Sequence, residues 1–324
     1  MYIKDEQIHP DLLSAAAEYR KLEAPDISED SMRIPAAMYE KARGVWEDPD
    51  ISMEERYIPR PDGSRLRIVI FKRKDETTDH ATGVLMLHGG GYAMCVPEND
   101  VLHIQLLLSQ EDTVLVAPDY ICSLEKPYPA AINDCYMTLV WMKDHAADLG
   151  IDQNQLFIVG NSAGGGLCAA TTLMARDKKE VSVAFQMPLY PMIDDRCDTA
   201  SCRNNNAPYW NERTNRLAWD LYLKDVPDRA HTPAYAAPAR NTDYNDFPPT
   251  MTFVGTIEPF CDETRNYVKA LKNANVPVIF REFPGCFHGF DVTCPDTEVS
   301  RDACNFIKET FAYAKRYFWK KQPQ

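Results

Sequence analysis

Short apolar runs alternate with stretches of helical periodicity from about residue 65 to the end of the chain. Apolar runs of four to seven residues between helices are typical of strands buried on both faces of a parallel sheet. The predicted strands are Arg65–Phe71, Gly83–Leu87, Thr113–Ala117, Leu156–Val159, Val181–Met187, Met251–Val254 and Val276–Phe280. The predicted helices are Val101–Ser109, Ala130–Lys143, Ala163–Arg176, Glu263–Asn273 and Val299–Trp319. This pattern predicts an α/β fold with a mostly parallel sheet flanked by helices.

Two segments lie outside this alternation. The N-terminal part predicts helices over residues 10–23 and 34–43, the first with an apolar stripe at helical spacing. Between Asp195 and Pro227 an amphipathic helix follows a strand and delays the next strand by about sixty residues, which exceeds a simple crossover. We interpret residues 196–226 as a cap element over a site, with an ordinary surface excursion as the alternative.

Composition excludes several classes of protein. The chain has 324 residues, of which 45% are hydrophobic and 26% charged, as in ordinary globular domains, so we expect one domain over residues 1–324. A net charge of -13 argues against nucleic acid and anionic membranes as partners. No apolar run approaches the ~18 residues of a membrane span. Ten cysteines without a secretion signal or a Cys-x-x-Cys pair predict free thiols, no structural zinc and a cytoplasmic location.

A glycine-bracketed serine is the strongest chemical signal. Residues 160–164 read Gly-Asn-Ser-Ala-Gly and lie between a predicted strand and a predicted helix. The pattern G-x-S-x-G in that context is the nucleophile elbow, which presents a serine hydroxyl at the tip of a strained turn. Ser162 is therefore the candidate nucleophile, and an incidental serine in a glycine-rich turn is the alternative.

A serine nucleophile requires a neighbouring base, and histidine is the usual one. In hydrolases that use this elbow the base follows the serine in the chain, which leaves His231 and His288 among seven histidines. His288 lies in a turn-rich loop, residues 283–290, after the last predicted strand. It is the candidate base, although alone it would be read as a surface histidine.

A run of three glycines predicts donors for the oxyanion that forms during acyl transfer. Gly89, Gly90 and Gly91 follow His88 directly after the predicted strand Gly83–Leu87. Consecutive glycines let backbone amides turn toward one point. A flexible loop and a phosphate cradle are alternatives, but neither a Walker lysine nor a G-x-G-x-x-G spacing accompanies the run.

These motifs resemble the hormone-sensitive-lipase-like group of α/β-hydrolase carboxylesterases. The matching segments are His88–Tyr92, Asp119–Tyr120, Glu125–Ala131, Gly160–Gly165, Leu189–Pro191, Asp262–Glu263 and Pro284–Phe290. The resemblance implies an α/β-hydrolase fold and oxyanion donors at the amides of Gly90, Gly91 and Ala163, with His88 structural. It also implies that the N-terminal helices, residues 1–45, belong to the cap and that no cofactor or metal is needed, and it is compatible with a homodimer.

The acid of the triad departs from the family pattern. The family reads Asp-Pro-Leu-x-Asp-Glu, whereas residues 258–263 here read Glu-Pro-Phe-Cys-Asp-Glu. A glutamate can orient the imidazole with one more methylene, so Glu258 is the first candidate acid. Asp262 and then Asp291 are the alternatives, and Asp262 also suits a helix N-terminus.

The sequence thus predicts a serine carboxylesterase that acts on a small-molecule ester of short to medium acyl length. Aromatic residues are the candidate walls of its substrate pocket, or else simply core: Tyr92, Tyr128, Tyr209, Trp210 and Trp219. An amidase, formamidase or peptidase could use the same triad. A non-catalytic small-molecule receptor on the same fold is a third reading, which the presence of His288 disfavours.

Overall fold

The computed structural model describes residues 1–22 and 27–323. The strands are β1 (Ile51–Pro59), β2 (Arg65–Arg73), β3 (Ala81–Leu87), β4 (Thr113–Pro118), β5 (Ile151–Asn161), β6 (Phe185–Leu189), β7 (Thr250–Gly255) and β8 (Val278–Phe283). The helices are α1 (Leu13–Leu22), α2 (Glu29–Tyr39), α3 (Val101–Leu108), α4 (Ala130–Asp144), α5 (Ala146–Leu149), α6 (Ala163–Lys178), α7 (Glu212–Tyr222), α8 (Cys261–Asn273), α9 (Phe290–Thr293) and α10 (Glu298–Tyr317).

All eight strands form one sheet, in the order β1-β2-β4-β3-β5-β6-β7-β8. Strands β3 to β8 are parallel, whereas β2 pairs antiparallel with both β1 and β4. The predicted α/β class and mostly parallel sheet are confirmed.

Two large apolar clusters cover the two faces of this sheet. Along β3, Leu85 and Leu87 belong to one cluster, while Val84 and Met86 belong to the other. Successive strand residues point to opposite faces, so a fully apolar strand serves both layers. This explains why the central strands were visible in the sequence as continuous apolar runs.

Several predicted boundaries differ from those of the structure, both inside the sheet and at the N-terminus. Strand β1 was not predicted, because it is an edge strand with a charged stretch at its centre and only two buried residues. Strand β6 begins at Phe185, four residues later than predicted. The helix predicted over 34–43 is α2 followed by a 3₁₀ turn, Glu40–Ala42. The helix predicted over 10–23 begins as a 3₁₀ turn and continues as α1, and residue 23 lies outside the described residues.

The N-terminal segment packs against the carboxyl-terminal edge of the parallel strands. The backbone amide of Ile3 donates to Asn206 Oδ1 at 2.6 Å, and the amide of His9 donates to the carbonyl of Gly285 at 2.8 Å. The Tyr19 ring meets Tyr209 edge-on at 5.2 Å between centroids. The chain's first twenty residues therefore contact both the 196–226 segment and the loop that carries His288.

A buried ionic cluster fixes the chain that follows α2. Arg67 on β2 contacts Glu55 at 2.7 Å and also pairs with Glu98 and Asp119. Glu98 in turn accepts a hydrogen bond from the Gly44 amide at 2.7 Å. Burial lowers the pKa of Arg67, but the surrounding carboxylates outweigh it and raise that pKa overall. Within residues 1–22 and 27–323, no helix is long and apolar enough to cross a membrane.

Candidate active site

Four loops meet at the carboxyl end of the parallel strands. Gly90 follows β3, Ser162 follows β5, Glu258 follows β7 and His288 follows β8. The carboxyl ends of neighbouring parallel strands share one edge of the sheet, which is where ligands bind in open α/β folds. Residues far apart in sequence thus converge because each comes directly after a strand.

Ser162 occupies a strained turn between β5 and α6. Its φ is +56° and its ψ is -119°, a conformation that non-glycine residues rarely adopt. The turn brings the start of α6 very close to β3. A Cβ on Gly164 would lie 2.0 Å from the carbonyl oxygen of Leu87, so this position requires glycine. The amide of Ser162 donates to the Leu189 carbonyl at 3.0 Å, which fixes the turn against β6.

Ser162, His288 and Glu258 form one hydrogen-bonded chain. Ser162 Oγ lies 2.8 Å from His288 Nε2, and His288 Nδ1 lies 2.5 Å from Glu258 Oε2. The exposed fractions of the three residues are 7%, 3% and 0%. In this arrangement the imidazole can accept the serine proton at one nitrogen while its other N–H donates to the carboxylate.

Both oxygens of the Glu258 carboxyl group are engaged. Oε1 accepts a hydrogen bond from the Gly255 amide at 2.7 Å, and Oε2 faces His288. Complete burial raises the pKa of Glu258, while the neighbouring His288 and the Gly255 amide oppose that rise. The extra methylene of glutamate therefore places a fully buried acid within reach of the imidazole.

The two other candidate acids point elsewhere. Asp262 Oδ2 accepts from the Ser201 amide at 2.8 Å, and its Oδ1 lies 3.1 Å from Arg265. Asp291 accepts from the Tyr190 hydroxyl at 3.1 Å and also faces His103. Among the described contacts, neither carboxylate reaches His288.

The glycine loop after β3 lines the cavity beside Ser162. Gly90 and Gly91 have φ values of +108° and +61°, and a Cβ on Gly90 would lie 2.2 Å from the Met94 carbonyl oxygen. Within the described part of the chain, the amides of these two glycines donate to no carbonyl or side chain. Ala163 is the first residue of α6, where a helix has no internal acceptor for the N–H group. Among the described hydrogen bonds, none of these three amides has an acceptor.

His88 directly precedes this loop in the chain and contacts its first glycine. Its ring stacks on Tyr120 at 4.1 Å, its Nδ1 faces the Gly89 carbonyl at 2.8 Å, and the Tyr120 hydroxyl donates to the His88 carbonyl. Burial lowers the pKa of His88 to about 4, so the ring is neutral at physiological pH. His88 lies beside the site as a packed structural residue.

Acidification should weaken the fold through His88. In the unfolded chain His88 becomes protonated below its ordinary pKa of 6.5, whereas in the folded chain it becomes protonated only near pH 4. We expect the free energy of unfolding to fall by about 3 kcal/mol over that interval from this group, with its contribution fully present above pH 6.5. Urea titrations of wild type and His88→Phe at both ends of the interval measure it. Equal losses in the two proteins would contradict the assignment.

A cavity of about 720 Å³ lies above Ser162. Ser162, His288 and the glycine loop form its floor, and residues of α1, α2 and the segment 209–214 form its walls. The main wall residues are Tyr19, Leu22, Met32, Pro35, Tyr39, Tyr209, Trp210 and Val292. The N-terminal wall residues were not identified individually from the sequence, although Tyr19 and Leu22 belong to the apolar stripe of the predicted first helix.

Of the five aromatic residues predicted as pocket walls, two line the cavity and three do not. Tyr209 and Trp210 line it. Tyr92 and Trp219 are each 1% exposed, and Tyr92 stacks on Tyr222 at 4.0 Å while its hydroxyl donates to the Met192 carbonyl. Tyr128 packs edge-on against that same Tyr222 ring. Helix α7 turns its aromatic face to the core, so Tyr92, Tyr128 and Trp219 support the site from behind.

Within residues 1–22 and 27–323, no group of three or more His, Cys, Asp or Glu residues is arranged to hold a metal ion. The cysteines of the chain are free thiols, and those beside the triad, Cys261 and Cys286, are fully buried.

Comparison with known proteins gives one family and a coherent set of relatives. A family model described as the alpha/beta hydrolase fold matches residues 84–292. Carboxylesterase NlhH of Mycobacterium tuberculosis is 29% identical over 249 residues, which is 75% of this chain and 76% of that protein. An arylesterase of Saccharolobus solfataricus is 27% identical over 64% of this chain and 67% of its own length. The solved structure titled Bacterial Heroin Esterase superposes with a TM-score of 0.85 at 29% identity, covering 96% of this chain and 98% of that one.

Proposed function

The chain belongs to the α/β-hydrolase fold family and is a carboxylic ester hydrolase, and from that premise we propose a serine carboxylesterase for short- to medium-chain acyl esters. The observation that carries the proposal is the hydrogen-bonded chain Ser162–His288–Glu258 at the floor of the cavity. The resemblance to hormone-sensitive-lipase-like esterases predicted from the sequence is confirmed.

Acylation begins when Ser162 Oγ attacks the ester carbonyl carbon. His288 Nε2 accepts the serine proton as the new C–O bond forms, and Glu258 stabilises the resulting imidazolium. The negative charge that develops on the carbonyl oxygen is met by the amides of Gly90, Gly91 and Ala163. Collapse of the tetrahedral intermediate breaks the ester C–O bond, and His288 returns the proton to the leaving alcohol.

Deacylation repeats these steps with water as the nucleophile. His288 accepts a proton from water, the hydroxide oxygen attacks the acyl-enzyme, and the serine leaves with that proton. The products are the carboxylic acid and the free enzyme. Every atom transferred comes from substrate or water, which is why the proposal needs no cofactor.

The shape of the cavity supports the proposed substrate size. At about 720 Å³ it falls within the usual range for small-molecule sites, and its walls are mostly apolar and aromatic. We propose that residues 1–45 and 196–226 form the cap, since residues from both segments line the cavity opposite Ser162. A cavity of this size, with apolar and aromatic side chains among its walls, suits a small ester better than a long lipid chain.

A chain-length series tests this proposal. On p-nitrophenyl acetate, butyrate, octanoate and palmitate, we expect the highest kcat/KM among the first three and a loss of at least about tenfold on palmitate. Substituting Val292→Trp, which narrows the cavity, should lower kcat/KM for octanoate more than for acetate. Val101→Trp, at a similarly exposed valine outside the cavity lining, is the matched control. Undiminished hydrolysis of palmitate would contradict the proposed size limit.

The same assay separates an esterase from an amidase. A matched p-nitroanilide presents a poorer leaving group, and we expect its hydrolysis to be far slower than that of the ester. Faster turnover of the anilide would favour the amidase reading. Absence of turnover on every ester and anilide would favour the receptor reading instead.

A further inference from the structure

A third buried histidine, besides His88 and His288, packs between the segments that carry the proposed triad. His103 on α3 is 0% exposed. Its Nδ1 lies 2.6 Å from Asp100 Oδ1, and its Nε2 lies 3.1 Å from Asp291 Oδ2. The amide nitrogen of Asn161 donates to Asp100 Oδ2 at 2.8 Å and lies 3.0 Å from His103 Nδ1. None of these four polar side chains takes part in the acyl-transfer steps described above.

The two carboxylates determine the charge of His103. A neutral imidazole has one N–H group, yet both ring nitrogens here face a carboxylate oxygen, so the imidazolium is the form that donates to both carboxylates. The Asn161 amide then donates to Asp100 Oδ2 rather than to the ring. Burial by itself lowers the pKa of His103, but Asp100 and Asp291 outweigh burial and raise it to about 10. The group of three therefore carries a net charge of about -1, from one imidazolium and two carboxylates.

The cluster of Asp100, His103, Asn161 and Asp291 lies next to the proposed triad on two sides. Asn161 directly precedes Ser162, and a Cβ on Gly89 would lie 2.3 Å from Asn161 Oδ1, so the glycine loop packs on the same amide. On the other side, Asp291 lies three residues after His288. Its Oδ2 also accepts from the Tyr190 hydroxyl, and the Tyr190 ring meets the His288 imidazole edge-on at 5.0 Å.

We propose that His103 is a positioning residue whose fixed positive charge joins the Ser162 elbow to the His288 loop and limits the negative field that Asp291 imposes on His288. This inference rests on the proposed function, because it assigns a role to His103 only through the triad. Since α3, the end of β5 and α9 meet at this one ring, its two hydrogen bonds fix the separation of nucleophile and base.

Other ionisable groups surround the cluster without neutralising it. Asp100 acts electrostatically on His88 and Cys95, and Asp291 acts on Glu258, Cys286, Cys294 and Cys304. Tyr190 faces it through Asp291. Within the described residues, His103 is the one cation that contacts Asp291. Replacing His103 by a neutral residue changes the net charge of the cluster from -1 to -2.

The test compares pH profiles of kcat and kcat/KM on p-nitrophenyl butyrate for His103→Gln, Asp291→Asn and the double variant. In His103→Gln we expect kcat to fall by about tenfold or more with KM little changed, because an ångström of misplacement is costly. The extra negative charge next to the triad favours a protonated, cationic site, so the acid limb of the kcat/KM profile should move to higher pH by about one unit. Asp291→Asn should move the acid limb to lower pH. In the double variant the cluster again has a net charge of -1, so the acid limb should return toward its wild-type position.

The outcomes separate charge from packing. Loss of packing alone would lower stability in His103→Gln and leave the acid limb in place, which would overturn the inference. The inference would also be overturned if the acid limb of the double variant stayed at the pH found for His103→Gln. If His103→Gln does not fold, Asp291→Asn still tests the inference. An acid limb at the wild-type pH in Asp291→Asn would show that the charge of Asp291 has no effect on the triad, which contradicts the inference. Ser162→Ala with wild-type activity would instead refute the proposed function itself.

Discussion

Replacing Ser162 by alanine should abolish almost all esterase activity. The hydroxyl is the proposed nucleophile, and its loss leaves only binding and the oxyanion donors, so we expect kcat/KM to fall by about 10⁴-fold or more, roughly 5.5 kcal/mol of transition-state stabilisation. Steady-state rates on p-nitrophenyl butyrate measure the loss. A fluorophosphonate probe should add one covalent label to wild type and none to Ser162→Ala, as read by intact mass.

Ser123→Ala is the matched control for this variant. Ser123 is also buried, and among the described residues its hydroxyl has no hydrogen-bond partner. Removing that hydroxyl should leave both the rate and the labelling unchanged within a few-fold. Wild-type activity in Ser162→Ala would rule out the nucleophile assignment, and labelling at another residue would identify the true one.

Replacing Glu258 by glutamine should be nearly as damaging. The change keeps the shape of the side chain but places an amide opposite His288 Nδ1. An amide that donates there stabilises the wrong imidazole tautomer, the one with its proton on Nε2, which cannot accept the serine proton. The corresponding change in a serine protease triad lowers kcat by about 10⁴-fold, and we expect a loss of that order here. The kcat of the folded variant on p-nitrophenyl acetate measures it.

Asp262→Asn provides the comparison for the acid assignment. Its carboxylate is occupied by the Ser201 amide and Arg265, so we expect activity to remain within about tenfold of wild type, with a small loss of stability. The opposite result, an active Glu258→Gln and an inactive Asp262→Asn, would transfer the acid role to Asp262. Thermal melts of both variants distinguish lost catalysis from lost folding.

The parts of the fold predicted well are those with strong one-dimensional signals. Buried parallel strands are apolar throughout, and each proposed site residue comes directly after one of them, so strand order along the chain locates the site. The elbow is similarly local, because a turn as tight as that at Ser162 requires glycine where α6 approaches β3. Strand β1 carries no such signal, since its charged residues face solvent at the sheet edge.

The residues that form the cavity walls could not be predicted from sequence periodicity alone, because periodicity does not show how helices pack against one another. An aromatic residue on an amphipathic helix faces either core or ligand, and Trp219 faces the core while Trp210, just before that helix, faces the cavity. The same uncertainty applies to α1 and α2, whose half-buried residues become walls only because both helices pack over the site. Their cap role, a homodimer and a cytoplasmic location stay predictions from the sequence.

The network around His103 was also beyond reach from the sequence. Asp100, His103, Asn161 and Asp291 lie in three distant segments, and each residue alone has an ordinary interpretation. Position 161, directly before the nucleophile, holds an uncharged asparagine. The structure shows two carboxylates already present there, so an aspartate at position 161 would have placed a third beside a single cation.

The origin of the cavity walls has a consequence for how this enzyme can change. The floor is built from loops after sheet strands, whereas much of the wall comes from two segments separated by more than 160 residues, near Tyr19 to Tyr39 and at residues 209–214. Mutational libraries confined to those two segments should therefore alter substrate preference without replacing any of the reacting groups. Within them, Tyr209 and Trp210 pack against His288, so substitutions at the other wall residues disturb turnover least.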